Sequence, residues 1–312
     1  MPRTVDIVVL GSGGAVPRAR MQPAILVRDW MGNTILLDAG EAVQTSLFRV
    51  GVSPSSLDLI AITHPHGDHV NGLAGLLMTM SLEGRRRPLT IVSTRDVLEF
   101  AGEVLEATRS RLGFEVKPME AAGEGSLVIA SRGGDRLTLS WAPACHTVEA
   151  VGFRLTWSLR PRLDRTAFTR LGLRPGPWVA ELLKSGSARV SGREVTLEDL
   201  GAIGGREFSI AYTGDTSQPC NPLKPLLKGA DIVIHDSTLD SSLRGEARER
   251  GHSTAIDAAS EARKAGARLL ILAHVSSRYE GLEARRLLLE ARQAFKQTLM
   301  AWDGARIKVN LG

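Results

Sequence analysis

Short apolar runs rich in β-branched residues alternate along the chain with segments whose apolar positions recur every three or four residues. The short runs predict strands and the periodic segments predict helices. Strands are expected at 5–10, 35–38, 59–63, 89–93, 137–141, 151–156, 208–213, 232–235 and 269–274, and helices at 41–50, 70–82, 94–112, 253–265 and 282–295. Thr94 and Ser253 are candidate N-caps of two of these helices. The pattern predicts an α/β fold.

Residues 154–193 break the alternation, because proline, glycine and serine interrupt every periodic pattern there. The segment holds nine basic and two acidic residues, a net charge of +7, whereas the whole chain carries +5. Such a concentration of positive charge is typical of a surface that binds phosphate groups. A solvated, arginine-rich loop is the alternative interpretation.

Composition narrows the class of protein. The 312 residues, 43% apolar and 23% charged, are typical of a globular protein with a substantial core. Apolar runs are too short to cross a membrane and the first ten residues lack a secretory core, so we expect a cytoplasmic protein without membrane association. The two cysteines, Cys145 and Cys220, predict neither a disulfide framework nor a thiolate metal site.

The segment Thr63-His64-Pro65-His66-Gly67-Asp68-His69 carries the strongest chemical signal. It lies between a predicted strand and a predicted helix, and chance placement of its His and Asp pattern is on the order of 10⁻⁴. Three imidazoles and a carboxylate at this spacing form two metal half-sites, His64 with His66 and Asp68 with His69.

Further candidate ligands follow other strands. His146, Asp215 and His274 each lie at or just past the end of a predicted strand, so we expect them on the same rim of a sheet. The prediction is a dinuclear site, with His64, His66, His146 and Asp215 around one ion and Asp68, His69, His274 and Asp215 around the other. Zinc suits these ligands best, and manganese and iron are alternatives. Two such ions activate water for hydrolysis.

Several motifs together resemble those of a known family. They are the segments 10–17 (LGSGGAVP), 37–41 (LDAGE), 64–77, 173–177 (LRPGP), 214–216 (GDT), 235–238 (HDST), 251–254 (GHST) and 274–279 (HVSSRY). The chain resembles metallo-β-lactamase superfamily hydrolases and, within them, the ribonuclease Z family, which processes tRNA 3′ ends. The resemblance implies a four-layer αβ/βα sandwich with two zinc ions per subunit and precursor tRNA as the substrate.

The same resemblance implies catalytic roles. Asp68 would orient or deprotonate the attacking water, and His252 would donate a proton to the leaving oxygen. Asp236 stands where the family has a longer acidic residue, and would orient His252. Asp38 would fix a ligand histidine by a hydrogen bond. A helix-capping role for residues 252–254 is the alternative.

Residues 154–206, which we call the basic insert, correspond to a protruding arm that proteins of this family carry. We expect one metallo-β-lactamase-fold domain over 1–312, with residues 154–206 as an inserted substrate-binding arm that grips tRNA and, in a homodimer, serves the partner's site. Arg174, Gly176, Pro177 and Arg278 are the predicted substrate contacts.

Two other functions remain open at this point. The loop 17–22 (PRARMQ) departs from the family's Pro-x-Lys-x-Arg-Asn pattern, which leaves selection of the tRNA 3′ end undetermined. One alternative is a phosphodiesterase of the same superfamily that acts on a small molecule and needs no basic arm. The other is a non-catalytic RNA-binding relative, against which the complete set of ligands argues.

Overall fold

The computed structural model describes residues 2–202 and 205–311 and contains two seven-stranded sheets. The first sheet has the spatial order β16 (Arg306–Asn310), β1 (Thr4–Gly11), β2 (Ala24–Asp29), β3 (Thr34–Leu37), β4 (Leu59–Ala61), β5 (Leu89–Ser93) and β6 (Val116–Glu120). The second has the order β15 (Thr298–Met300), β14 (Leu269–Ala273), β13 (Ile232–Asp236), β12 (Glu207–Tyr212), β9 (Val151–Ser158), β8 (Asp135–Pro143) and β7 (Gly125–Arg132).

Helices cover the outer face of each sheet. Those on the first sheet are α1 (Val43–Arg49), α2 (Gly67–Val70), α3 (Gly72–Leu82) and α4 (Arg95–Ala107), and those on the second are α7 (Lys224–Leu227), α8 (Arg244–Glu249), α9 (Ala255–Ala265) and α10 (Leu282–Ala294). Short 3₁₀ helices lie at Pro54–Ser56 and Ser241–Leu243. The predicted four-layer αβ/βα sandwich is confirmed. Within the described ranges, no helix is long and apolar enough to cross a membrane.

The two sheets pack face to face over a shared apolar core. Phe153 and Trp157 of β9 are its largest fully buried side chains. The indole Nε1 of Trp157 donates a hydrogen bond to Asp29 Oδ2 at the end of β2, at 2.9 Å. This bond satisfies the polar atom of a buried ring and joins the two sheets directly.

Parallel pairing aligns the carboxyl ends of strands in both halves. Strands β3 to β6 pair in parallel in the first sheet, and strands β12 to β15 do so in the second. Loops that follow such strands share one edge of a sheet, where α/β proteins place their sites. The predicted metal motifs occupy such loops, after β4, β12 and β14.

The basic insert has structure of its own, which the sequence pattern did not predict. It contains α5 (Arg165–Arg170), α6 (Trp178–Ser185) and the hairpin of β10 (Ser187–Val190) with β11 (Arg193–Thr196), packed around a small core that includes Phe168 and Leu182. Residues 154–158, predicted as part of the insert, belong to β9. Positions 203 and 204 of the predicted arm lie outside the described residues.

Cys145 and Cys220 form a disulfide, contrary to the expectation from the sequence. Their Cα atoms are 5.5 Å apart although 75 positions separate them in the chain. Cys145 follows β8 and Cys220 follows β12, and both strands flank β9, so the sheet brings the two thiols together. The separation of the two cysteines in the sequence carries no information about this contact. The bond joins the loop of His146 to the segment that follows Asp215.

Removing this bond should destabilise the fold. Cross-links that close long loops reduce the entropy of the unfolded chain, so we expect Cys220→Ser to lower the free energy of unfolding by about 2–4 kcal/mol. Guanidinium unfolding followed by tryptophan fluorescence measures the change. Dithiothreitol should destabilise the wild-type protein and leave the variant unaffected. If the wild-type protein and the variant were equally stable without reductant, the pairing would be contradicted.

Candidate metal centre

The seven predicted ligands converge between the sheets. His64, His66, His146 and Asp215 form one group, and Asp68, His69 and His274 form another, with the potential ligand atoms of each group within 4.8 Å of one another. Asp215 lies between the groups: its Oδ1 is 3.3 Å from His69 Nε2, and its Oδ2 is 3.3 Å from His274 Nε2 and 3.7 Å from His64 Nε2. The structure therefore brings together every residue of the predicted dinuclear site.

Close backbone packing holds the loops of the site in place. Gly214, one residue before Asp215, has a φ of 57°, and a Cβ there would lie 2.6 Å from Thr63 Cγ2. Gly14 passes so close to His274 that a Cβ would lie 3.0 Å from its imidazole ring. Glycine at both positions allows neighbouring loops to approach the ligands.

Hydrogen bonds to fixed acceptors set the tautomers of two ligand histidines. His146 Nδ1 lies 2.7 Å from the carbonyl oxygen of Gly251, and His69 Nδ1 lies 2.7 Å from Asp38 Oδ2. Because a carbonyl and a carboxylate only accept hydrogen bonds, both Nδ1 atoms carry the proton. When the ring is neutral, the lone pair is therefore on Nε2, which points into the cluster.

Two threonine hydroxyls fix the tautomers of His64 and His274. The Thr63 hydroxyl donates to Asp38, 3.0 Å away, and so accepts from His64 Nδ1 at 2.9 Å. The Thr238 hydroxyl donates to Asp236 Oδ1, 2.7 Å away, and so accepts from His274 Nδ1 at 2.8 Å. A hydroxyl has one proton to give, so Nδ1 of both histidines carries a proton, and in the neutral ring the lone pair is on Nε2.

The converging lone pairs fit a divalent cation. His66 Nδ1 lies 3.1 Å from His64 Nε2 and 3.0 Å from His146 Nε2. His69 Nε2 and Asp215 Oδ1 are buried without a hydrogen-bond partner in the described part of the chain. A proton on His66 Nδ1 satisfies only one of its two neighbours, so the remaining lone pairs repel one another unless a cation lies between them. Imidazole with carboxylate is a common ligand set for divalent transition metals.

The electrostatics of the cluster centre on Asp215. Burial alone would raise the pKa of Asp215, but the neighbouring His274 and His69 hold it well below its ordinary value. Burial would lower the pKa of His69, but the carboxylates of Asp215 and Asp38 raise it well above the ordinary value. Burial lowers the pKa of His64. Asp215 is therefore the ionised group around which the imidazoles collect.

Asp38 is the predicted partner of a ligand histidine, and the structure gives it further contacts. It adopts a left-handed φ of 59° directly after β3. Besides His69 and the Thr63 hydroxyl, it accepts hydrogen bonds from the Thr63 amide at 2.7 Å and from the Tyr212 hydroxyl at 2.6 Å. The sequence analysis did not single out Tyr212 as a functional residue. The available signal was its position at the end of a strand, three residues before Asp215.

His252 lies beside the cluster with Asp236. The distance from His252 Nδ1 to Asp236 Oδ2 is 3.0 Å, so the shorter aspartate reaches the imidazole. Burial would lower the pKa of His252, but Asp236 outweighs it and raises the pKa to about 9.

The two predicted helix caps differ from the structure. The prediction that Ser253 caps a helix is wrong, because Thr254 caps α9 by accepting a hydrogen bond from the Asp257 amide. Thr94 lies at the N-cap position of α4, but its side chain makes no capping hydrogen bond.

The predicted substrate contacts are not all at this site. Arg278 lines a cavity of about 230 Å³ together with His252 and His274, and pairs with Glu246 at 2.8 Å. Arg174, Gly176 and Pro177 lie in the insert, between α5 and α6. None of these three lines that cavity in the described residues.

The hydrogen bonds of Asp38 should contribute to metal affinity. We expect Asp38→Asn to weaken Zn²⁺ binding by about 10-fold to 100-fold, because its loss frees the ring of His69. Tyr212→Phe should weaken Zn²⁺ binding less than Asp38→Asn does. Competition with a chromophoric chelator measures the affinities, with Asp96→Asn in the exposed first turn of α4 as the matched control. Wild-type affinity in Asp38→Asn would contradict this account.

Known proteins share both the sequence and the fold of this chain. Ribonuclease Z of Aeropyrum pernix is 59% identical over 308 residues, 98% of this chain and 99% of that protein. Ribonuclease Z of Pyrobaculum aerophilum is 38% identical over 88% of each chain. The crystal structure of human tRNase Z, short form, superposes with a TM-score of 0.68 at 22% identity, over 98% of this chain and 99% of that one. Residues 5–121 match the family described as Anti-Pycsar protein Apyc1. With 59% identity over nearly its full length, the chain belongs to the ribonuclease Z family.

Proposed function

We propose that the protein is a zinc-dependent endoribonuclease that removes the 3′ trailer from precursor tRNA by hydrolysing a phosphodiester bond. The observation that carries the proposal is the convergence of both ligand groups on Asp215, with the pair of His252 and Asp236 beside them. Relatives named Ribonuclease Z support the choice of RNA as the substrate. We also propose two zinc ions per chain and a cytoplasmic location.

The chain's own residues account for the proton transfers. Zinc held by the two groups would lower the pKa of water and stabilise negative charge on the phosphoryl oxygens. Asp68 lies at the rim of the cluster, half-buried, with Oδ2 3.2 Å from His274 Nε2. We assign it to orient the attacking water and accept its proton.

His252 is placed for the opposite role. Asp236 holds it at Nδ1, and its ring stacks on that of His274 with centroids 5.0 Å apart. The other ring nitrogen is left to give a proton to the leaving oxygen as the phosphorus–oxygen bond breaks. Asp236 also accepts from the Thr216 amide at 3.1 Å, so it ties His252 to the loop of Asp215.

We propose the insert as the surface that grips the body of the tRNA. Its arginines, among them Arg174, would contact backbone phosphates, with Gly176 and Pro177 shaping the loop beside it. Arg278, in the cavity with His252, would contact a phosphate close to the bond that is cut.

The position of the insert supports a homodimer. Strand β9 begins beside the metal centre, where the Val151 amide donates to the Thr63 carbonyl at 2.9 Å, and seven residues later it ends at Ser158. Ser158 pairs with Glu207, so both ends of the insert emerge about 23 Å along the strand from the metal centre. An insert attached there is better placed to serve a second copy's metal centre than its own.

The decisive experiment compares two substrates. One variant replaces residues 160–205 with a short Gly-Ser linker, which the adjacent ends of β9 and β12 allow. We expect it to lose more than about 100-fold in kcat/KM on end-labelled precursor tRNA, because it lacks the phosphate contacts, and to keep its activity on a chromogenic phosphodiester. His64→Ala should lose both activities.

The outcomes separate the candidate functions. Undiminished tRNA cleavage by the linker variant would contradict the role of the insert. If the wild-type protein hydrolysed the small ester and left precursor tRNA uncut, the phosphodiesterase alternative would replace the proposal. Tight RNA binding by a protein that holds no metal would favour the non-catalytic alternative.

A further inference from the structure

A cavity of about 540 Å³ lies where the insert joins the two sheets, beyond the end of β9 that is remote from the metal centre. Its wall comes from the residues before β1 and after β2, from the turn between β7 and β8, and from the insert. Four arginines line it against one carboxylate, that of Asp135, so its formal charge is +3. These arginines are Arg3, Arg132, Arg160 and Arg162. We call this cavity the junction pocket.

The carboxylate of the junction pocket is already engaged. Asp135 accepts from Nε of the buried Arg3 at 2.9 Å and from its Nη2 at 2.6 Å. It also accepts from the Trp30 indole at 3.2 Å and from the Arg160 amide at 2.9 Å. Four donors fill the lone-pair positions of a carboxylate, and the charge of Arg3 balances that of Asp135. No other carboxylate of the described residues lines the cavity, so the charges of the other three arginines are not balanced there.

A glycine turn brings two of these arginines together. Gly134 has a φ of 88°, and a Cβ there would lie 2.5 Å from Arg160 Cδ, so the stem of Arg160 crosses the turn that follows Arg132. The Arg132 side chain donates to the Met31 carbonyl at 3.1 Å. The Arg160 guanidinium has no hydrogen-bond or ion-pair partner within residues 2–202 and 205–311. Like charges in one cavity repel one another, so the arrangement indicates a position for an anion.

The rest of the wall of the junction pocket is largely apolar. It is formed by Trp30, Pro161, Leu163 and Leu183. The hydrogen bond from Trp30 Nε1 to Asp135 holds the half-buried indole ring in place. An aromatic ring fixed in a wall offers a surface on which a nucleobase stacks. The volume of the cavity falls within the range of about 300–1,000 Å³ that is typical of small-molecule sites.

We propose that the junction pocket binds a nucleoside diphosphate, with its base against Trp30 and its phosphates held by Arg132 and Arg160. Guanidinium groups bind phosphate oxygens through paired, charge-assisted hydrogen bonds. A backbone phosphate of RNA would use the arginines and leave the aromatic wall unused, so the two-part wall favours a free nucleotide. Because both the insert and the sheets line the pocket, the bound nucleotide would join the insert to the rest of the fold. This inference does not depend on the proposed function.

Calorimetric titration of the whole protein with ADP, pyrophosphate and adenosine tests the two parts of the pocket separately. The wild-type protein should bind ADP more tightly than pyrophosphate, and adenosine not measurably. Arg132→Gln and Arg160→Gln should each weaken binding of both ADP and pyrophosphate about tenfold, because each removes a charge-assisted hydrogen bond. Trp30→Leu should weaken ADP binding about tenfold and leave pyrophosphate binding unchanged. Arg111→Gln, at an exposed arginine outside the pocket, is the matched control, and His64→Ala reports any ADP held at the metal centre.

Three results would overturn the inference. The first is wild-type affinity for ADP in both Arg132→Gln and Arg160→Gln, and the second is ADP binding that is lost only in His64→Ala. The third is a wild-type protein that does not bind ADP. If these arginine variants then bound precursor tRNA more weakly than the wild type, the pocket would belong to the RNA-binding surface instead. The proposed function is tested by cleavage of precursor tRNA, so none of these results would contradict it.

Discussion

The structure depends on one electrostatic constraint, the convergence of imidazole nitrogens and carboxylate oxygens in a volume from which water is largely excluded. Without a cation these groups repel one another, and the buried Nε2 of His69 and Oδ1 of Asp215 make no hydrogen bond to any of the described residues. The surrounding bonds hold this arrangement in place, because Asp38, the Gly251 carbonyl and two threonine hydroxyls fix the protonated side of each ring. Metal binding therefore contributes directly to the stability of this region.

The rest of the fold positions these groups and separates them from the surface proposed to bind the tRNA body. Parallel strands in both sheets end at the same edge, so loops distant in sequence meet there. The disulfide between Cys145 and Cys220 joins two of those loops. Strand β9 spans the sheet from the metal centre to the insert, which separates the proposed phosphodiester chemistry from the proposed grip on the tRNA body.

The sequence predicted which residues come together at the metal centre, because each one follows an apolar strand and strand ends are visible as a change from apolar to polar residues. It missed features that depend on contacts between distant segments. Tyr212 belongs to a strand and reaches Asp38 across the two sheets, and the two cysteines meet only when β8 and β12 flank β9. Strands such as β2 and β16 and the helices of the insert were missed because their patterns are short or irregular.

Metal content of the purified protein tests the central claim, that two ions share Asp215. Elemental analysis after reconstitution with Zn²⁺ and removal of free metal should give two ions per wild-type chain. His146→Ala and His274→Ala should each retain about one ion, since they affect different groups, and Asp215→Ala should retain less than either. One ion per wild-type chain, or two in Asp215→Ala, would contradict the account.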